Sequence, residues 1–227
     1  MLKQDQYKHI IWDCNGTLIN DAWLFVDVMN GVLKERNMKI ITLNKYREIF
    51  EFPVENYYKT LGFNLIKEPF QKCGLEFIHA YKKRRYEAKL HLKVNFVLSE
   101  LLSMNINHSI LSAQNQILLD DLTKHYKIRN YFTEIIGLND YFAHSKVDKG
   151  IELMKKIEFD SKEVLFIGDT DHDFEVAQTL GTDCLLISHG HHCHSRLKKT
   201  GAPIVSSLED IFEFIGNDII HTKEKCN

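Results

Sequence analysis

Short apolar runs alternate along this chain with longer segments whose apolar residues recur at helical spacing. The short runs predict six strands, at residues 9–13, 108–112, 134–137, 164–168, 184–188 and 204–206. Several of them are apolar at consecutive positions, which is typical of strands covered on both faces. Alternation of such strands with helices predicts an α/β fold built on a parallel sheet.

Helical patterns fill the remaining segments. They predict helices over 21–36, from just after Thr42, from Pro53 to Gly62, and over 67–88, 94–104, 117–126, 147–157, 174–180 and 208–215. Asp21 is a plausible cap for the first of these helices, because a short acidic side chain can accept from free helical N–H groups. Gly62 and Gly181 stand where helices are expected to end.

The stretch between the first two predicted strands is far longer than an ordinary connection between strands and carries no clear strand. We therefore expect residues 20–90 to form a helical cap domain. Residues 1–19 and 91–227 would form the core domain into which it is inserted. A chain of 227 residues is long enough for this arrangement.

Composition and charge narrow the class of protein. The chain is 44% hydrophobic and 26% charged, which is typical of a globular protein and argues against disorder. Its formal net charge of −2 provides no overall field that would favour nucleic acid or an anionic membrane. We expect neither partner, and we expect a monomer or a homodimer.

The five cysteines are scattered and form no Cys-x-x-Cys, so neither a disulfide framework nor a zinc ribbon is predicted. The first residues lack the apolar region of a signal peptide, and no apolar run is long enough to span a bilayer. The expected location is the cytoplasm.

Polar residues follow several predicted strands, at the sheet edge where ligands of parallel sheets usually bind. These residues are Asp13 with Gly16 and Thr17, Ser112 with Ala113, Lys146, and Asp169 with Asp173. Taken singly, each also has a simpler explanation: a turn aspartate, a helix-capping serine, a surface lysine, and acids in the first turn of a helix. Lys149 is an alternative to Lys146, and Asp171 is a spare acid that could cap the next helix.

Taken together and in this order, the features resemble those of the haloacid dehalogenase (HAD) superfamily. Asp13-Cys14-Asn15-Gly16-Thr17-Leu18 resembles its nucleophile motif, Asp-x-Asp-Gly-Thr-Leu, and Gly168 to Asp173 matches its metal-binding motif, Gly-Asp-x-x-x-Asp. Segments 52–58 and 61–63 resemble the phosphoglycolate-phosphatase-like group, which has a helical cap. The resemblance extends over nearly the whole chain and implies a HAD-like Rossmannoid parallel sheet with an inserted helical cap domain.

The resemblance also implies an activity: Mg²⁺-dependent hydrolysis of a small phosphorylated metabolite through an aspartyl-phosphate. Asp13 would be the nucleophile, and Lys146 would neutralise both nucleophile and phosphate. Backbone N–H groups at Gly16 and Thr17, the Ser112 hydroxyl and the Ala113 amide would hold the phosphoryl group. The Mg²⁺ ligands would be Asp13, the Asn15 carbonyl, Asp169 and Asp173, the last directly, through water or by orienting Asp169.

Asn15 departs from the family motif, which has an acid at this position. That acid protonates the leaving oxygen and then activates water. An amide can do neither, so the rate of hydrolysis would be lower by roughly 10²–10⁴-fold. Asn15→Asp should recover such a factor on alkyl phosphates, while substrates with low-pKa leaving groups should suffer least. The chain is then a slow or specialised phosphatase, a catalytically impaired phosphate-binding or regulatory protein, or a phosphatase engineered to trap its substrate.

Two further runs attract attention. The run His189-Gly190-His191-His192-Cys193-His194 is rich in potential zinc or nickel ligands, but its spacing is too tight for one tetrahedral site. We expect no catalytic metal there, and expect alanine at His191, His192 and His194 to leave turnover within a few-fold. The basic run over 82–85 could meet an anionic substrate, but such runs more often form a solvated helix face.

Overall fold

A parallel sheet forms the centre of the computed structural model, which describes residues 6–141 and 146–216. The strands are β1 (His9–Trp12), β2 (Ile19–Asn20), β3 (Lys89–Leu90), β4 (Asn107–Asn115), β5 (Glu134–Leu138), β6 (Val164–Gly168), β7 (Asp183–Ile187) and β8 (Ile204–Val205). Six of them pair in the order β5-β4-β1-β6-β7-β8, with every pairing parallel. The predicted α/β class and HAD-like sheet are confirmed.

Both faces of the sheet are covered, as the consecutive apolar residues predict. In β1, Ile10 and Trp12 belong to one buried apolar cluster, while Ile11 belongs to another that includes Leu111 and Phe166. Successive side chains of a strand point to opposite faces, so each face contributes its own core. Because β1 and β6 are neighbours that run parallel, the residues that follow these two strands lie at the same sheet edge.

All described helices except α9 (His194–Leu197), which was not predicted, agree with predicted ones to within a few residues. The described helices are α1 (Ala22–Lys34), α2 (Leu43–Ile49), α3 (Val54–Leu61), α4 (Phe70–Arg84), α5 (Val94–Ser103), α6 (Gln116–His125), α7 (Val147–Met154), α8 (Asp171–Leu180), α9 (His194–Leu197) and α10 (Asp210–Phe214). None of the helices in the described ranges has both the length and the apolar character needed to cross a membrane.

The ends of the helices test the capping residues that the sequence predicted. The Thr42 hydroxyl accepts from Lys45 N at 3.1 Å, and Gly62 ends α3 in the left-handed region at φ 96°. Gly181 ends α8 in the same way, at φ 73°. Asp21 precedes α1 but makes no capping hydrogen bond, so that prediction was wrong. Asp171 is likewise not a cap, because Thr170 caps α8.

The helices α1 to α4 follow β2 and precede β3. These two short strands pair antiparallel, with Ile19 opposite Leu90 and Asn20 opposite Lys89, where the chain leaves and rejoins the sheet region. We call the segment between them the helical insert. It has a separate apolar cluster, which includes Tyr46, Tyr57, Tyr58, Phe63 and Phe70.

His108 of β4 is a buried polar residue whose hydrogen bonds fix its protonation. Trp12 Nε1 donates to His108 Nδ1 at 3.1 Å, and His108 Nε2 lies 3.3 Å from the Leu98 carbonyl oxygen. The neutral ring protonated at Nε2 satisfies both contacts, whereas a proton on Nδ1 would displace the indole. Burial lowers the pKa of His108 from 6.5 to about 4.

This lowered pKa predicts acid sensitivity. Between about pH 4 and 6.5 the unfolded chain binds a proton at His108 that the folded chain does not, so the free energy of unfolding should rise with pH across this window. His108→Asn keeps an acceptor for Trp12 and cannot titrate. In urea unfolding between pH 4.5 and 7.5, its pH slope should be smaller by up to about 1.4 kcal/mol per pH unit. Equal slopes in both proteins would contradict the assignment.

Candidate active site

Three buried carboxylates meet at the carboxyl edge of the sheet. Asp13 follows β1, Asp169 follows β6, and Asp173 lies in the first turn of α8. Each offers an oxygen, and these oxygens all lie within 4.8 Å of one another. Parallel pairing of β1 with β6 places Asp13 beside Asp169, and the short turn into α8 brings Asp173 to them.

Lys146 provides the positive charge in this cluster. Its Nζ contacts Asp13 Oδ1, lies 2.6 Å from Asp173 Oδ1, and donates to the Leu111 carbonyl at 3.1 Å. Although burial alone would lower the pKa of Lys146, Asp13 and Asp173 outweigh it and raise that pKa, so the ammonium stays charged. Lys149, the alternative, instead pairs with Glu152 at 2.7 Å.

The two acids of the Gly-Asp-x-x-x-Asp motif play different parts. Asp169 Oδ1 accepts from Thr17 Oγ1 at 2.7 Å, and Oδ2 accepts from the His191 backbone N–H at 2.6 Å. Asp173 Oδ2 accepts from the backbone N–H groups of Asp169 and Thr170, at 3.0 and 2.9 Å. With its other oxygen on Lys146, Asp173 has little capacity left, which favours its orienting or water-mediated role over direct ligation.

The charge balance of the cluster suits a divalent cation. Burial raises the pKa of Asp13 well above its usual value, and Asp173 and Asp169 add to this against the opposing effect of Lys146. Burial likewise raises the pKa of Asp169 to about 6. Three carboxylates therefore share a single ammonium in a poorly solvated place. Oxygen ligands with excess negative charge are what Mg²⁺ prefers, so the residues present fit that ion.

Glycine is required where the nucleophile loop approaches the acids. Gly16 has φ +82°, and a Cβ there would lie 2.3 Å from both Asp169 Oδ2 and His191 Cδ2. A Cβ at Gly190 would lie 2.1 Å from the same Asp169 oxygen. Both backbones pass so close to Asp169 that no side chain fits. The Thr17 side chain serves this packing through Asp169, rather than facing the cavity.

Ser112 and Ala113 line the same cavity as Asp13. Ser112 does not cap the next helix, since Asn115 does so by accepting from Ile117 N at 3.2 Å. Ser112 also does not end its strand: β4 continues to Asn115, with an irregular register after Leu111. The Ser112 hydroxyl accepts from Gln114 N at 3.1 Å within this irregularity, which turns the segment toward the cavity.

Asn15 is held by Asp21, a residue that sequence reasoning treated only as a helix cap. The Asn15 amide donates to Asp21 Oδ2 at 2.5 Å and to the Tyr81 hydroxyl at 3.3 Å. Asp21 Oδ1 accepts from Gly16 N at 3.0 Å. Asp21 is fully buried, so its carboxylate needs donors such as these. A carboxylate at position 15 would face Asp21 with like charge.

His191 was also missed as a site residue. Its Nε2 lies 3.2 Å from Asp21 Oδ1, and its Nδ1 lies 2.7 Å from the Tyr46 hydroxyl. Burial alone would lower the pKa of His191, but Asp21 and Asp169 outweigh it and raise that pKa. No local pattern marks this histidine, because its partners come from distant parts of the chain.

Within the described ranges, the group of possible metal ligands is Asp13, Asp169 and Asp173, which includes no residue of the histidine run. The run is nonetheless part of the site. His191 contacts Asp21, and buried His192 lies 2.9 Å from the Phe50 carbonyl oxygen of the insert. The expectation that alanine at His191, His192 and His194 leaves turnover within a few-fold stays a prediction, and these contacts argue for a larger effect.

The basic run does not itself line the cavity, although Lys82 Nζ donates to the hydroxyl of the lining residue Tyr141 at 3.1 Å. Arg84 pairs with Asp27 at 2.5 Å and Glu87 at 2.7 Å, and Arg85 pairs with Asp121 at 2.7 Å. No member of the run is among the described residues that line the cavity. The interpretation as a solvated, ion-paired helix face accounts for these contacts.

With this geometry, the chain belongs to the haloacid dehalogenase-like hydrolase family, whose model matches residues 10–187. It is 22% identical over 200 residues to a phosphoglycolate phosphatase of Pseudomonas savastanoi pv. phaseolicola, covering 83% of this chain and 72% of that protein. It is also 22% identical over 206 residues to an N-acetylmuramic acid 6-phosphate phosphatase of Pseudomonas putida, covering 87% and 91%.

Solved structures agree on the fold. A haloacid dehalogenase-like hydrolase of Streptococcus pneumoniae superposes with a TM-score of 0.80 at 21% identity, covering 92% of this chain and 98% of that one. A predicted phosphoglycolate phosphatase of Haemophilus somnus superposes with a TM-score of 0.77 at 18% identity, again covering 92% of this chain and 98% of that one. The resemblance to the HAD superfamily and its phosphoglycolate-phosphatase-like group is confirmed.

The carboxylate cluster predicts a specific metal dependence. Asp169→Ala should abolish the Mg²⁺-dependent binding of beryllium fluoride or vanadate. The variant would remove an expected oxygen ligand of the metal and the acceptor of the Thr17 hydroxyl. The matched control is Asp171→Ala, which removes an acid two residues away that pairs with Arg196 at 2.7 Å. Calorimetric titration with and without Mg²⁺ measures both. Unchanged binding in Asp169→Ala would refute the metal site.

Proposed function

We propose that this protein is an Mg²⁺-dependent phosphomonoester hydrolase that acts on a small phosphorylated substrate through an aspartyl-phosphate on Asp13. The observation that carries this proposal is the contact of Lys146 with Asp13 inside the carboxylate cluster. Lys146 occupies Oδ1 of Asp13, which leaves Oδ2 to attack phosphorus. The printed names of the relatives, both phosphatases of small phosphorylated compounds, support the same reaction class.

The remaining site residues take roles around the phosphoryl group. The Ser112 hydroxyl, the Ala113 amide and the backbone N–H groups of Gly16 and Thr17 would hold its oxygens. Asp13, Asp169 and the Asn15 carbonyl would hold Mg²⁺, with Asp173 orienting Asp169. When bound, the ion supplies positive charge that lets a dianionic phosphate approach the carboxylates.

The helical insert completes the proposal. We propose that residues 20–90 act as the cap domain, which excludes water and reads the leaving group, with residues 1–19 and 91–227 as the core. Contacts already join the two parts: Arg47 of α2 donates to the Gly190 and His189 carbonyls at 2.8 and 2.9 Å. We further propose that the protein is a cytoplasmic monomer or homodimer. The net charge of −2 supports the absence of nucleic-acid and membrane partners.

A second candidate function follows from Asn15. The same site would bind a phosphate ester without completing its hydrolysis, as a binding or regulatory protein, if no group replaces the missing acid. The engagement of the Asn15 amide with Asp21 favours this candidate, because the amide is fixed in a hydrogen-bonding role. Turnover separates the two candidates.

Phosphate release from a panel of phosphorylated metabolites tests the main proposal. Release should require Mg²⁺, stop with a chelator, and fall by at least roughly 10³-fold in Asp13→Asn, which has nearly the same shape but a far poorer nucleophile. Asp171→Asn is the control, since it removes a charge of the same motif outside the carboxylate cluster. Activity that survives in Asp13→Asn would exclude the covalent route.

Position 15 needs a variant designed around Asp21. Asn15→Asp alone puts two carboxylates about 2.5 Å apart, which repulsion disfavours. The exchange variant Asn15→Asp with Asp21→Asn keeps both the charge and the hydrogen bond. It should gain roughly 10²–10⁴-fold in kcat/KM on alkyl phosphates, and the single variant less. No gain in either, with an inactive parent, would favour the binding protein; a parent already fast on alkyl esters would show that another group supplies the proton.

A further inference from the structure

The cavity above Asp13 is walled by aromatic side chains of the helical insert. Phe25, Phe50, Phe52, Tyr58, Phe70 and Phe77 all line it. Its volume is about 130 Å³, comparable with the engineered apolar cavity of roughly 150 Å³ that binds benzene. A wall of this kind favours a flat apolar group of one ring and offers little to the many hydroxyls of a sugar.

Positive charge is absent from this wall as far as residues 6–141 and 146–216 extend. The described cationic side chains that line the cavity are Lys146 and His191, and both lie against site carboxylates. The arginines of the insert are engaged elsewhere: Arg36 pairs with Glu68 and Glu76 at 2.7 and 2.6 Å, and Arg47 binds backbone carbonyls. A carboxylate on the leaving group would therefore be desolvated without a partner.

Two neutral polar atoms at the cavity have no hydrogen-bond partner among the described residues. They are the Tyr57 hydroxyl and Gln114 Oε1, which are buried and belong to residues that line the cavity. Burial raises the pKa of Tyr57, so this hydroxyl stays neutral. An unpaired buried polar group is costly, and a neutral substituent on the bound ring would satisfy one of them.

Leaving-group chemistry points in the same direction through an independent observation. Asn15 cannot donate a proton to the departing oxygen. A phenol, with a pKa near 10, departs as its anion far more readily than an alcohol, whose pKa is closer to the value of about 15.7 for water. An aromatic wall and a missing acid are separate features, and both select an aryl oxygen as the leaving group.

We propose, on the basis of the proposed function, that the substrate is an aryl phosphomonoester whose ring is uncharged, carrying at most one neutral hydrogen-bonding substituent. Asp13 Oδ2 forms a bond to phosphorus while the bond from phosphorus to the aryl oxygen breaks, and the phenolate takes its proton from solvent. Water then attacks the phosphorus of the aspartyl-phosphate, which restores Asp13 and releases inorganic phosphate. Phosphoglycolate, whose leaving group carries a carboxylate, is a poor substrate in this proposal.

The test compares four esters by kcat/KM with Mg²⁺. The 4-carbamoylphenyl and 4-carboxyphenyl phosphates have matched shape and good leaving groups but differ in charge, and the neutral ester should be faster by at least about 10²-fold. Benzyl phosphate keeps a ring but has an alkyl leaving group, and phosphoglycolate has no ring; both should be slower than the carbamoyl ester. Equal rates for the matched pair, or faster turnover of phosphoglycolate, would overturn the proposal.

A variant and a binding measurement separate this proposal from the proposed function. Ile78→Arg places a cation at the cavity and should shift the ratio toward the carboxy ester by at least about tenfold, whereas Ile78→Gln should not. If the chain releases no phosphate from any ester, the proposed function fails, and the preference is read from calorimetry with 4-carbamoylphenyl- and 4-carboxyphenylphosphonate. Tighter binding of the neutral phosphonate would support the inference, and equal affinity would overturn it.

Discussion

The site depends on the ammonium of Lys146 placed between Asp13 and Asp173. Through these two contacts and the Leu111 carbonyl, one side chain ties β1, the first turn of α8 and β4 together at the sheet edge. Without it, buried carboxylates would face one another with no positive charge from this side chain, a change that typically costs several kcal/mol. The same ammonium cannot balance every acid of the cluster. The shortage of positive charge is therefore a property of the fold, and the divalent cation of the proposed mechanism would relieve it.

Asn15 and Asp21 depend on each other, because each satisfies the other's hydrogen-bonding group. The acid expected at position 15 is absent, yet a buried acid lies beside it, bound by the Asn15 amide and the Gly16 N–H and facing His191. An aspartate at position 15 would confront Asp21 at short range, whereas asparagine donates to it. The local structure thus explains why an amide is stable there. We therefore expect a change at position 15 alone to restore less of the acid chemistry than the exchange of both residues.

What the sequence could predict was set by the range of the interactions concerned. The strands were predictable because strands buried on both faces consist of consecutive apolar residues. The helix end at Gly62 was predictable because a left-handed C-terminal residue depends only on its immediate neighbours in the chain. Asp21 had the correct local signal for a cap, but its carboxylate instead binds donors of the preceding loop, at Asn15 and Gly16. It also faces the distant His191. His191 had no local signal, since it acquires its role from residues more than a hundred positions away. The irregularity that turns Ser112 inward is likewise a property of strand pairing.

The aromatic wall of the cavity strengthens the electrostatic effect of the charged residues around Asp13 and Lys146. Low polarity around the wall weakens screening, so Lys146 attracts a phosphate more strongly there than it would in water. The same low polarity makes any unpaired charge on the leaving group expensive. For the proposed substrate, the wall would therefore confine charge recognition to the phosphoryl end and would leave shape and neutral hydrogen bonds to recognise the other end. In the proposed reaction Asn15 cannot donate a proton, so the leaving-group pKa would also govern how readily the phosphorus–oxygen bond breaks. Substrate recognition and reaction rate would then both depend on the leaving group.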